Sequence, residues 1–182
     1  MMQRRTLLFA ALLLAGCTTL TGPAGTRRWT GRFSLRAVTA QGAETAAGKY
    51  RLTATGDTYE LEILSPLNGV LGKVTVTPSE ARVERGSQPD MTAATETELM
   101  ESAFGFSLPV AVFAAWLDGT PAAAAPFERT TAGAFRQKDW LVAPKPSTDG
   151  RPALLKLSRT DPSRTLSLTL TVAKETVDTP LP

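Results

Sequence analysis

A chain of 182 residues with no histidine and one cysteine lacks the commonest general base, the commonest metal ligand and any thiol pair for a zinc site or an internal disulfide. Its 20 basic and 17 acidic side chains leave a net charge of +3, too small an excess to suggest nucleic acid as a partner. No apolar run after the N-terminal one approaches the ~20 residues of a membrane helix, so stability must come from a packed core.

In chain order, the first segment is a leader. Arg4 and Arg5 precede an apolar run from Leu7 to Ala15, too short to span a bilayer, and the small residues Ala15 and Gly16 stand just before Cys17. Leu14-Ala15-Gly16-Cys17 resembles the lipobox of bacterial lipoproteins. That resemblance implies cleavage before Cys17 and a covalent N-acyl diacylglycerol on it, with no dissociable cofactor. The expected organisation is a signal peptide over residues 1–16, a lipidated flexible tether over 17–27 and one domain over 28–182. Cleavage removes Arg4 and Arg5, leaving 18 basic against 17 acidic residues, a net charge of +1. The Thr-, Gly- and Pro-rich stretch Thr18–Thr26 has little to bury and suits a tether.

Strands follow. Trp29–Val38 alternates with period two, Phe33, Leu35 and Ala37 on one side and Arg32, Ser34 and Arg36 on the other. Lys49–Thr53 reads as a second strand, and Thr55-Gly56-Asp57 turns the chain into Thr58–Leu64, the cleanest alternation present. Ser65–Gly69 breaks the pattern, which resumes at Leu71–Thr77 and Ala81–Arg85. Thr95-Glu96-Thr97-Glu98 matches a capping box and starts a helix. A second helix is predicted from Pro109 to Leu117 with Gly119 near its C-cap; it is apolar almost all round, so it must be covered on several sides or border an apolar cavity. Pro121–Pro126 reads as a surface linker. Strands return at about Glu128–Gln137, Trp140–Ala143, Leu154–Arg159 and Leu166–Val172. The predicted fold class is mainly β: about nine or more strands in a curved antiparallel sheet closed around two inserted helices.

Catalytic motifs are missing. There is no nucleophile elbow, P-loop or dinucleotide fingerprint. Glu60 and Glu62 would share a strand face about 7 Å apart, a spacing a glycosidase could use. Tyr59, Leu61 and Ile63 fill the opposite face, which makes a solvated face the better reading of the pair. The chain is therefore not expected to be an enzyme.

Four blocks carry a resemblance. Trp29-x-Gly31-Arg32-Phe33-Ser34-Leu35, then Tyr59–Leu64 leading into Ser65-Pro66-Leu67, then Gly105-x-x-Leu108-Pro109-Val110 running to Trp116-Leu117-x-Gly119, and Phe135-x-Gln137-x-x-Trp140 follow one another at spacings that resemble the LolB family. They cover most of the chain from Trp29 to Val172. The family's fold, an incomplete antiparallel barrel with a helical lid and a hydrophobic interior, is similar to what periodicity implies here. An incomplete antiparallel β-barrel of about nine to eleven strands, with inserted helices forming a lid over a hydrophobic cavity, is what the resemblance implies for this chain. The resemblance implies an outer-membrane lipoprotein, anchored on the periplasmic face, that takes lipoproteins from a LolA-like periplasmic carrier and delivers them into the outer membrane. Thr18, rather than Asp, after Cys17 suits the outer membrane. A single chain acting as a monomer is expected.

Candidate lining residues for an acyl-chain cavity are Phe33, Leu35, Leu52, Leu61, Ile63, Phe113 and Trp116, though any single one reads more readily as ordinary core. Leu67, Val70 and Leu71 are apolar where a solvent-facing turn is expected, which marks a contact with membrane or partner. Leu67 aligns with the family's protruding-loop leucine, which implies a role in placing cargo into the membrane; the other reading is a wide loop folded onto the core. Two departures from the family pattern bear on cavity size and the last strand: Leu52 stands where an aromatic residue is expected, and the C-terminus lacks a late Trp. The alternatives are an envelope lipoprotein that binds free lipid or scaffolds an assembly, and an envelope hydrolase using Glu60 or Glu62.

Overall fold

The computed structural model describes residues 25–86, 88–130, 133–148 and 152–173, and the backbone of 176–178. The expected leader, Cys17 and most of the tether lie outside them.

Period-two alternation produces an antiparallel meander. β1 (Thr26–Thr39) and β2 (Gly42–Thr55) form a long hairpin, followed by β3 (Thr58–Leu64), β4 (Val70–Val76), β5 (Ala81–Arg85) and β6 (Gln88–Ala93). Two helices come next, α1 (Glu96–Phe104) and α2 (Val110–Leu117). The chain returns through β7 (Phe127–Arg129), β8 (Phe135–Gln137), β9 (Trp140–Pro146), β10 (Pro152–Asp161) and β11 (Arg164–Thr171), and β12 (Thr176–Asp178) closes the sequence. Eleven strands lie in the order β6-β5-β4-β3-β2-β1-β11-β10-β9-β8-β7, with β12 paired to the start of β1. The two ends of that order, β6 and β7, do not pair, so the barrel is open.

The inner face follows strand parity. Trp29, Leu52, Leu61, Val74 and Val83 from one half of the sheet and Phe135, Val142, Leu155, Leu157 and Leu168 from the other join one buried cluster with α2. A flat sheet could not bring both halves onto one helix. The sheet therefore curls around α2, whose Val110, Val112, Phe113, Ala114, Trp116 and Leu117 are all buried.

Gly31 serves this closure. A Cβ at Gly31 would meet the Thr171 carbonyl oxygen at 1.8 Å and the Tyr50 ring at 2.8 Å. The lack of a side chain lets β1 and β11 cross closely as their ladder gives way to the Arg32 N–H···Thr171 Oγ1 bond of 3.0 Å.

Several expectations need correction. β1 begins at Thr26, so the last two residues of the expected tether lie in strand. The stretch 128–137 is two short strands rather than one, and β6 and β12 were not expected. Pro109 is the N-cap of α2 rather than its first residue. Pro121–Pro126 is not a loose linker: Ala125 is buried, and the carbonyls of Ala122 and Ala125 accept hydrogen bonds from Gln137 Nε2 at 2.8 and 2.7 Å. Backbone groups that a buried amide satisfies are fixed in place. The capping box forms by half, with Thr95 Oγ1 accepting from the Glu98 N–H at 3.3 Å.

Candidate functional site

Between α2, the α1–α2 connection and the inner face of β1–β3 and β11 lies a cavity of about 80 Å³ with no polar lining. Its walls are Phe33 and Leu35, Tyr50, Leu61 and Ile63, with Phe106, Leu108 and Phe113 from the helical side and Leu168 and Leu170 from β11. Phe33, Leu35, Ile63 and Phe106 are half-buried, so the cavity has a mouth where those side chains meet solvent.

Five of the seven expected lining residues, Phe33, Leu35, Leu61, Ile63 and Phe113, come together here. Leu52 and Trp116 do not. Leu52 is fully buried in register with Trp29 on one side and Leu61 on the other. Leucine there fills core space behind the cavity wall and does not line the cavity. Trp116 turns away: it is fully buried, and its Nε1–H donates to Gln137 Oε1 at 2.8 Å. A helix that is apolar all round carries no period by which to tell the Phe113 side from the Trp116 side. Tyr50, Phe106, Leu108, Leu168 and Leu170 were missed. Strand parity could have found Leu168 and Leu170, which share a face two residues apart.

The loop after β3 stands beside the mouth, because Ile63 lines the cavity and Ser65 starts the loop two residues later. Its backbone is built. Ser65 N–H donates to Gly69 O at 2.8 Å, Asn68 N–H to Ser65 O at 3.0 Å, and Gly69 N–H to Ser65 Oγ at 3.0 Å. Asn68 sits in the left-handed region at φ 69 and accepts from Lys49 Nζ at 2.7 Å. The result holds Leu67 out in solvent at 92% exposure, with Val70 and Leu71 each at 57%. The loop is not folded onto the core. A bulge explains why two adjacent residues both point outward: Ile63 pairs Gly72 but Leu64 pairs Val70, leaving Leu71 extra.

The carboxylates considered for catalysis lie on the outer face, each in an ion pair. Glu60 is 3.0 Å from Lys73 and Glu62 is 2.6 Å from Arg51. Among the described residues no helix is long and apolar enough to cross a membrane.

The helices are locked to one another and to the sheet. Glu96, at the start of α1, accepts the backbone N–H groups of Val110 and of Ala111, the second at 3.2 Å, and so caps α2. Burial pushes its carboxyl above the ordinary carboxylate value, against the downward pull of those two bonds. At the other end of α2, Asp118 accepts from Trp29 Nε1 at 2.8 Å and from Arg27 Nη2 at 2.7 Å.

The fold and site define an open antiparallel β-barrel protein with helices packed over a small apolar cavity and an exposed apolar loop at its mouth. The comparisons give the family. A family model described as Outer membrane lipoprotein LolB matches residues 27–174, and the chain belongs to that family. It is similar to an outer-membrane lipoprotein LolB of Cupriavidus taiwanensis, 34% identical over 167 residues that cover 84% of this chain and 82% of the relative. A Cupriavidus necator relative of the same name is 33% identical across 96% of this chain and 98% of its own. The crystal structure of a LolA superfamily protein from Nitrosomonas europaea superposes with a TM-score of 0.44 at 10% identity, covering 85% of this chain and 87% of that one.

Proposed function

We propose that this chain is a lipid-anchored receptor on the periplasmic face of the outer membrane. It accepts lipoproteins from a LolA-like carrier through the apolar cavity and passes them into the bilayer beside the Leu67 loop. The observation that carries this reading is an apolar cavity mouth next to a leucine 92% exposed on a hydrogen-bonded loop.

The energetics favour handover from cavity to cavity. An acyl chain of ~15 methylenes costs about 12 kcal/mol to leave in water, at roughly 0.8 kcal/mol each. No route through solvent is fast on that scale, so the cargo needs continuous apolar cover. The cavity, near 80 Å³, is small beside a whole acyl chain, so in this reading cargo entry widens it between the α1–α2 connection and β1–β3. No catalytic step or dissociable cofactor belongs to this reading, and one copy of the chain suffices.

The anchor fits the same geometry. Cys17, acylated, would lie eight residues before Gly25, a reach of about 28 Å at full extension. The six-residue rise along β1 from Thr26 to Arg32, level with the loop, is about 20 Å. A tether of that length lets the loop side of the barrel face the membrane.

Depletion in the host tests the reading: mature lipoproteins should accumulate on the carrier in the periplasm. Leu67→Glu should keep the fold and still draw cargo from the carrier, yet leave that cargo undelivered. Normal delivery by the mutant defeats the loop's role. Depletion without stranded lipoproteins favours a free-lipid binder or scaffold.

A further inference from the structure

The outer face of the sheet is divided in its charge. From Arg51 of β2 to β5 outward cations have carboxylates: Arg51 with Glu62 at 2.6 Å, Lys73 with Glu60 at 3.0 Å, Arg82 with Glu84 at 3.3 Å. The pattern stops where β1 meets β2 at the level of the loop. Arg32 and Lys49 stand directly opposite one another in the ladder, about 5 Å apart at Cβ, and neither has an ion-pair partner among the described residues. Like charges facing across a ladder are destabilising. Left without a neutralising carboxylate, the pair presents two positive charges at one place on the surface.

The pair lines a groove of about 480 Å³ together with Thr30, Asn68, Val70 and Thr171. Asn68 and Val70 belong to the exposed loop and its exit, so groove and loop are one surface. Lys49 Nζ spends one of its three donors on Asn68 Oδ1, the residue next to Leu67, and has two left. The Arg32 guanidinium brings five more N–H donors, and Thr30 and Thr171 line the same groove.

We propose that Arg32 and Lys49 form a binding site for the phosphate of an anionic phospholipid at the membrane surface. This rests on the reading of the loop as the membrane-contacting element and specifies the lipid chemistry beside it. Guanidinium and ammonium groups match a phosphodiester in charge and donor geometry. The apolar tip lies one residue from the cation, since Lys49 bonds Asn68, the neighbour of Leu67. A bilayer's headgroup layer is roughly 5–8 Å thick on each side, a step that one residue of backbone and the Leu67 side chain can cross. With Lys49 at the phosphates, Leu67 reaches the acyl region and Val70 lies between.

The test uses the full lipidated chain reconstituted in vesicles of phosphatidylcholine, alone or with a third phosphatidylglycerol. Acylation of Lys49 by a water-soluble amine reagent is read by mass spectrometry, with exposed Lys138 as reference. Two cations near an anionic surface strengthen association about thirtyfold, so Lys49 labelling should fall by about an order of magnitude on phosphatidylglycerol, and Arg32→Gln should restore most of it. Equal labelling on both vesicles overturns the proposal. So does equal protection by tens of millimolar inorganic phosphate without vesicles, which would make the site one for a free anion. A polarity-sensitive dye on Pro66→Cys reads the loop separately. Protection of Lys49 with the dye still in water keeps the headgroup site and sinks the loop reading; a buried dye with Lys49 unprotected does the reverse.

Discussion

The indole N–H of Trp116 and the side-chain amide of Gln137 meet at 2.8 Å inside the barrel. Gln137 Oε1 also accepts the Ala122 N–H at 2.9 Å, while its Nε2 donates to the carbonyls of Ala122 and Ala125. One buried amide thus fastens α2, the segment after it and β8 together. Gln137→Leu leaves the indole N–H, the Ala122 N–H and the Ala125 carbonyl without partners, while the Ala122 carbonyl keeps the Ala125 N–H at 3.3 Å. Each buried unsatisfied group costs about 1–3 kcal/mol, partly relieved as water enters. A loss of about 3–4 kcal/mol in urea unfolding is expected, and Gln137→Leu as stable as the parent chain would show that the amide is dispensable.

A carboxylate at a helix C-terminus opposes the helix dipole by about 0.3–1 kcal/mol, yet Asp118 occupies that place after α2. Its two charge-assisted bonds, to Trp29 and to half-exposed Arg27, outweigh the dipole, because such bonds contribute about 1.5–3 kcal/mol where partly buried. Asp118→Ala should cost about 2 kcal/mol and shift Trp29 fluorescence. Asp118→Asn keeps an acceptor for the indole and loses only an exposed ion pair, so its cost should stay below about 1 kcal/mol. Equal costs for the two would remove the Trp29 bond from the explanation.

The contrast between strands shows what was legible. Thr58–Leu64 alternates in sequence because one face meets the core and the other pairs charges in water, so its bounds were evident. The exposure of Leu67, Val70 and Leu71 followed from Pro66 and Gly69 interrupting an apolar run. β6 was invisible because it is an edge strand with Met91 and Ala93 only half-buried, which leaves nothing to alternate. The first half of β2, residues 42–47, is exposed throughout and is held by β1 alone. Trp116 was misplaced for the opposite reason, an excess of apolar residues around the helix. Gln137 held the missing clue: a polar side chain at the inward parity of Phe135, demanding a buried partner. The unpaired charge of Arg32 and Lys49 is likewise a matter of register, which no local pattern states.

Acid should tighten the packing of the two helices. Burial raises the Glu96 carboxyl above its ordinary value of 4.5. The folded state therefore binds that proton more tightly than the unfolded state. Linkage then makes stability fall as pH rises through the window that opens near pH 4.5 and lies above it, where the unfolded carboxyl has ionised first. Glu96→Gln keeps a neutral acceptor for Val110 and Ala111 and removes this dependence. Urea midpoints at pH 4.5 and 7.5 should show the parent chain losing ground to Glu96→Gln at the higher pH. An advantage of the parent that grows with pH would reverse the assignment. Glu96→Ala, which removes the cap as well, should cost about 1–2 kcal/mol at both.

Cavity wall and core are separable by a pair of substitutions. Leu35 is half-buried and borders open space, so Leu35→Phe can place its ring in the cavity with little strain, at a cost under about 1.5 kcal/mol. The same ring occupies room that an acyl chain must enter. Affinity for a fluorescent fatty acid should weaken at least about tenfold, equivalent to 1.4 kcal/mol. Leu52 is fully buried behind the wall, and Leu52→Ala should cost about 2–5 kcal/mol in stability. Under conditions where that variant remains folded, its acyl affinity should match the parent's, because Leu52 touches core rather than cavity. The two substitutions thus predict opposite patterns, one in binding and one in stability. Unchanged fatty-acid binding by a folded Leu35→Phe chain would mean that acyl groups lodge elsewhere than between α2 and β1–β3.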